Sequence, residues 1–185
     1  TRTSTSAPPT STPTVTTTPI PPAATPTATS TVIAPTRTPT VAPPAGATIR
    51  LNEVLPIVGA TDWNRDGVVD ANDSWIELYN YGPTTVNIGG WLLDNASSSG
   101  DPYRVPANVI LKPGVYLVLY RTQTGLDLSR GAEPLWLRLP DGRLVDAVRF
   151  GALPPDDSYS RTDAGDWAPD WPPSPGRPNG PTPAR

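Results

Sequence analysis

Cysteine, histidine and methionine are all absent from this 185-residue sequence. Without cysteine there is no disulfide, no zinc–thiolate site and no thiol nucleophile, and the redox compartment is left open. Without histidine there is no Ser-His-Asp triad, no imidazole acid–base chemistry and no histidine-ligated metal. No run of 18 apolar residues occurs, so no helical membrane span is predicted. A chain that starts at Thr1, lacks methionine and shows no signal peptide reads as a fragment or a mature segment.

A fourth absence is local. Residues 1–47 contain no acidic residue and consist almost entirely of Thr, Pro, Ser, Ala and a few Val or Ile. Each proline fixes its own φ, pushes the preceding residue toward extended geometry and removes a backbone donor, which excludes helix and central strand. The apolar residues follow neither a period of two nor of 3.6, so no core is predicted here. A disordered Thr/Pro-rich linker is expected over 1–47, with an extended reach of about 150 Å at ~3.1 Å per residue. Its composition is also that of O-glycosylated stalks.

The composition changes at Ala47-Thr48-Ile49. The remaining 138 residues carry all 17 acidic residues and all six tryptophans. That is one ordinary domain, large enough to bury a core. It is placed at 48–180, with a disordered tail at 181–185. Arg2 and Arg37 are the only charges before the boundary, so 12 basic residues face 17 acidic ones in the domain. No basic cluster stands out, and no nucleic-acid partner is expected.

Short alternating runs separated by Gly, Pro and Asp recur through the domain and predict strands. They are 49–55, 75–79, 85–88, 90–94, 103–105, 109–111, 115–120, 134–139 and 144–150. Asp141-Gly142 between two alternating runs predicts a hairpin, and Lys112-Pro113-Gly114 predicts a tight turn. No 11-residue window carries a helical stripe. The fold class expected is all-β, an antiparallel sandwich or barrel.

Taken in order, several motifs resemble the lamin tail domain family, an Ig-like β-sandwich. They are Leu51-Asn52-Glu53-Val54, Trp75-Ile76-Glu77-Leu78-Tyr79-Asn80, Gly90-Trp91-Leu92-Leu93-Asp94 and the run Leu111 to Leu119. Further along come Leu139-Pro140-Asp141-Gly142, Val145 to Gly151, Ser158 to Thr162 and Pro173 to Asn179. The resemblance implies a non-catalytic binding or scaffold module. Secreted bacterial members resemble this chain in sitting on low-complexity linkers, beside hydrolases or at the cell surface. The nuclear members belong to intermediate filaments, but no heptad rod is present here.

Between the first two predicted strands lies Asp62-Trp63-Asn64-Arg65-Asp66-Gly67-Val68-Val69-Asp70-Ala71-Asn72-Asp73. It fits an EF-hand loop, with side-chain oxygens at loop positions 1, 3, 5, 9 and 12 and glycine at position 6. The expected calcium ligands are Asp62, Asn64, Asp66, Asp70 and Asp73 with the Val68 carbonyl, and Val69 is expected to point into the fold. Asp73 stands where the EF-hand has Glu, and the loop resembles dockerin-type loops in ending so. The flanks read as strands, not helices. The competing reading is an acidic surface turn without metal.

Glu53 and Glu77 could be the paired carboxylates of a glycosidase, or carboxylates hydrogen-bonded to backbone or arginine inside the sandwich. Alternation places Glu53 with Leu51 and Leu55, and Glu77 with Trp75 and Tyr79. Trp136 and Arg138 share the strand face opposite Leu135 and Leu137, and Trp63 sits on the acidic loop. These three are the candidate ligand surface, against the reading that the tryptophans pack under loops. Trp91 is expected in the core, Trp167 and Trp171 as staples of the C-terminal segment, and Asp156-Asp157 as an exposed loop. The function expected is a calcium-stabilised, monomeric attachment module at the cell surface or outside it, binding protein or polysaccharide. The alternatives are a carbohydrate-binding module of a secreted hydrolase, a hydrolase using Glu53 and Glu77, and a cap without a ligand.

Overall fold

A computed structural model describes residues 48–95, 101–128, 134–169 and 171–181. The linker 1–47, the Ser97–Gly100 loop and tail residues 182–185 lie outside the described residues. Every predicted run becomes a strand. β1 is Ile49–Leu55, β2 Trp75–Asn80, β3 Val86–Asn87, β4 Leu92–Asn95, β5 Tyr103–Arg104, β6 Ile110–Leu111, β7 Tyr116–Tyr120, β8 Pro134–Arg138 and β9 Leu144–Arg149. Two further short strands follow, β10 Tyr159–Arg161 and β11 Trp167–Ala168. Helix is confined, among the described residues, to a 3-10 turn at Ala71–Asp73 and the single turn Arg121–Thr124.

The strands pair antiparallel into a five-stranded sheet, β11-β10-β1-β2-β7, and a four-stranded sheet, β5-β4-β8-β9, with β3-β6 as a separate ladder. One hydrophobic core joins Ile49, Leu51, Val54, Ile76, Leu78 and Leu119 of the first sheet to Leu93, Leu135, Leu137, Val145 and Val148 of the second. Trp91 lies in this core at 6% exposure, as expected. The β8–β9 turn forms at the Asp-Gly step, where the Leu139 N–H donates to the Arg143 carbonyl at 2.8 Å. Gly142 takes the positive φ of 86° there that a side chain disfavours.

One facial assignment changes. Glu53 pairs with Glu77 and Leu51 with Leu78, so the register shifts between Leu51 and Glu53. The extra residue is Asn52, a β-bulge. A bulge reverses the alternation that follows it. Leu51 therefore joins the core, whereas Glu53 and Leu55 turn to the outer face beside Trp75, Glu77 and Tyr79.

That outer face is covered by two segments. The β1–β2 loop brings Trp63 edge-to-face against the fully buried Trp75, with ring centroids 6.3 Å apart. The C-terminal segment after β11 crosses Glu53 and Glu77. Trp167 staples the chain as expected, stacking on Tyr159 at 5.3 Å.

Candidate functional site

The acidic loop is built from turns in which side-chain oxygens replace backbone acceptors. Asp62 accepts the Asp66 and Gly67 N–H groups at 3.2 and 2.9 Å. Asn64 Oδ1 accepts Asp66 N–H at 2.8 Å, and Asp66 Oδ1 accepts Val68 N–H at 2.9 Å. Gly67 takes a φ of 92°, the conformation its loop position requires. Asp70 caps the 3-10 turn through Asn72 N–H at 2.7 Å. Asp73, fully buried, accepts Asn64 N–H on one oxygen at 2.8 Å and Asp70 N–H on the other at 3.0 Å. Loop positions 1, 3, 5, 9 and 12 are thus knitted together by this chain's own amides.

Among the described residues, no three His, Cys, Asp or Glu side chains converge as a metal cluster. The donor set still suits a hard cation, because each ionised carboxylate has about four lone-pair sites and the loop amides occupy only some of them. Val69 differs from expectation. It is 46% exposed, and Val68 57%. The loop leads into a 3-10 turn and a strand, not into a second helix under which position 8 could pack. Val69 instead lines an open cleft with Pro56, Ile57, Val58, Ala71 and Arg121.

The loop is fastened to the body by Asp156, expected from the sequence in an exposed loop. Asp156 accepts the N–H groups of Gly59, Ala60 and Thr61 at 3.0, 2.7 and 3.2 Å, the Thr61 hydroxyl at 3.1 Å and Trp63 Nε1 at 2.9 Å. It does so from a φ of 62°, which Asp tolerates better than most residues. Burial alone would raise its carboxyl, but the bonds from Gly59, Trp63, Ala60 and Thr61 outweigh it and hold the group below its ordinary value. The anchor's contribution is therefore full above the unfolded-state pKa and is lost as pH falls through the lower folded value. Asp156→Ala should cost about 1–3 kcal/mol and expose the Gly59–Thr61 amides to hydrogen exchange, with β8 unaffected. Unchanged protection at those amides would refute the anchor.

Trp63 is committed to this framework. Its ring meets Trp75, its Nε1 meets Asp156, and its carbonyl accepts the Tyr120 hydroxyl at 2.9 Å. Trp136 and Arg138 do share the outer face of β8, both half-buried. However, the Arg138 guanidinium lies 5.3 Å from the Trp136 ring centroid and donates to the Gly142 carbonyl at 3.2 Å. Such a cation–π contact contributes about 0.5–1 kcal/mol and occupies one face of the ring.

Glu53 and Glu77 are both fully buried. Glu53 Oε1 accepts the Ser158 hydroxyl at 2.6 Å, the Ser160 hydroxyl at 3.1 Å and Ser174 N–H at 3.0 Å, while Oε2 accepts the Ser174 hydroxyl at 3.0 Å. Glu77 accepts Asn52 Nδ2 at 2.8 Å and Gly176 N–H at 2.6 Å. These carboxylates hold the C-terminal segment and have no solvent exposure, so they lack the solvent-facing arrangement a glycosidase pair requires.

Residues 42–152 match the family model for the lamin tail domain. The chain belongs to the lamin tail domain family. Strands β1 to β9 and the acidic loop lie inside the matched region, while β10, β11 and the C-terminal segment lie beyond it. No curated protein matches the chain. Lamin tail domains are Ig-like, non-enzymatic protein-interaction modules.

Proposed function

We propose that this lamin tail domain is a calcium-stabilised attachment module, working outside the cell or at its surface. Residues 1–47 serve as its tether, and it holds a larger protein to a protein or polysaccharide surface. The observation that carries this reading is the acidic loop. Its oxygens are spaced for one hard cation, its backbone is already folded around them, and Asp156, Trp63 and Tyr120 fix it to the body. Asp62, Asn64, Asp66, Asp70, Asp73 and the Val68 carbonyl would hold calcium, whose charge offsets the mutual repulsion of four aspartates. A rigid loop presenting Val68 and Val69 beside an open cleft suits docking of a protein partner.

Calorimetric titration of calcium into the full chain tests the reading. A saturable, one-site isotherm that disappears in Asp62→Ala is expected. No heat of binding at millimolar calcium would overturn it.

A further inference from the structure

The C-terminal segment is held by an unusual pair of groups. Glu53 and Glu77 face each other across β1 and β2, both without solvent exposure. Burying one charged carboxylate is costly, and burying two side by side is costlier unless a cation or a proton compensates. Among the described residues neither meets a lysine or arginine in an ion pair.

Among the described residues, the surroundings supply hydrogen-bond donors and no compensating charge. The chain at β10 contributes the Ser158 and Ser160 hydroxyls. On β7, Val118 lies opposite Glu77 between Tyr116 and Tyr120. The Tyr116 phenol is pushed up to about 12 by burial, then by Tyr79, with Glu77 adding to the effect. Arg50, on the same outer face beyond the bulge, lies over the Tyr79 and Tyr81 rings. The C-terminal segment brings Ser174, Gly176 and Asn179, and its one charged residue, Arg177, is exposed.

That segment is a strap. Ser174 and Gly176 donate backbone N–H groups into the two carboxylates, and Asn179 donates to the Asn52 and Arg161 carbonyls at 3.0 and 2.9 Å. Opening it would return both carboxylates to water. We propose that residues 171–180 form a proton-controlled strap, closed while the Glu53–Glu77 pair retains a proton and loosened once both are charged.

The direction follows from the burial. Desolvation raises Glu53 despite the bonds from Ser158, Ser174 and Ser160, and it raises Glu77 to about 7 despite Gly176 and Asn52, with the Glu53 charge adding to the rise. A carboxyl raised in the closed state stabilises that state fully below its ordinary value and loses the contribution as pH rises through the raised one. The strap therefore grips in mild acid, loosens as pH rises from the ordinary carboxylate value toward 7, and is at its loosest above neutrality. The titration belongs to the pair as a unit. Release would expose a polar strip of Asn52, Glu53, Glu77, Ser158 and Ser160.

Hydrogen exchange by NMR on the full chain tests this. Opening returns Glu77 from about 7 to its ordinary 4.5, so the strap-opening constant should rise roughly 70-fold from pH 5 to pH 8. After correction for intrinsic exchange, the Ser174 and Gly176 amides should lose protection by that factor, while β8 amides do not. In Glu77→Gln most of the pH dependence should vanish. Equal protection of the strap at both pH values, the same slope in β8, or an unchanged slope in Glu77→Gln would each overturn the proposal. Should that variant not fold, the Glu77 carboxyl carbon titrated in the wild-type chain decides. A midpoint near neutrality supports the strap, and one in the ordinary carboxylate range refutes it.

Discussion

Asp146→Ala should destabilise the domain by about 3–5 kcal/mol, the cost of removing one partner from a buried pair, and lower its melting temperature by roughly 10–20 °C. Asp146 leaves β9, an edge strand of the four-stranded sheet, and closes the corner against β1 and β10. Its Oδ2 accepts Leu51 N–H at 2.9 Å and its Oδ1 accepts Arg161 Nη2 at 3.1 Å. Both side chains of the ion pair are only 13% exposed. Burial raises the Asp146 carboxyl, although Arg161 and the Ala147 and Leu51 amides pull it back. The carboxylate also faces Arg50, which Arg161 opposes and Asp146 favours. Alanine would leave two nearby guanidiniums without their shared anion and the Leu51 N–H without its acceptor. Asp146→Asn keeps that acceptor and should cost less. A thermal or urea melt checks the ranking, and an Asp146→Ala loss under about 1 kcal/mol would sink the argument, being no more than an exposed pair contributes.

Chelation of calcium should have the next largest effect. At free calcium about 100-fold above the dissociation constant, binding the folded state alone stabilises it by about 2.7 kcal/mol, or roughly 10 °C in melting temperature for a domain of this size. Asp62→Ala in calcium should melt like the wild type in chelator, since Asp62 is partly exposed and its loss leaves small penalties of its own. Asp73→Ala should fall further, with or without calcium, because its buried carboxylate also holds the Asn64 and Asp70 amides. A melting curve unmoved between millimolar calcium and chelator would remove the cation from the account.

The strands were legible because the signal that names them is local. Alternation over Trp75–Asn80 and Val145–Arg149, and the Asp-Gly step between β8 and β9, depend on neighbours within a few residues. β10 and β11 escaped because Tyr159–Arg161 and Trp167–Ala168 are too short to show a period. The turn chemistry of the acidic loop is equally local, since its hydrogen bonds close over two to nine positions.

The residues that sequence reasoning misplaced are those whose partners lie far along the chain. Asp156 acts on Gly59 to Trp63 across more than 90 positions, and Glu53 acts on Ser174 across 121. No pattern within a window can encode such a pairing. The facing of Glu53 failed for a related reason, since a one-residue bulge at Asn52 reverses every later side chain and is visible only when β1 and β2 are laid together.

By itself, then, the sequence determined the β-class, the positions of β1 to β9, the abrupt step at Ala47 and an acidic loop with the EF-hand spacing of oxygens. Each of these follows from short-range sterics, periodicity and composition. The tertiary structure alone decided that two glutamates would hold a strap and not a substrate, that Trp63 would be a wedge and that Asp146 would close the sandwich. Those outcomes rest on desolvation and hydrogen-bond satisfaction, which depend on what folding brings against each side chain.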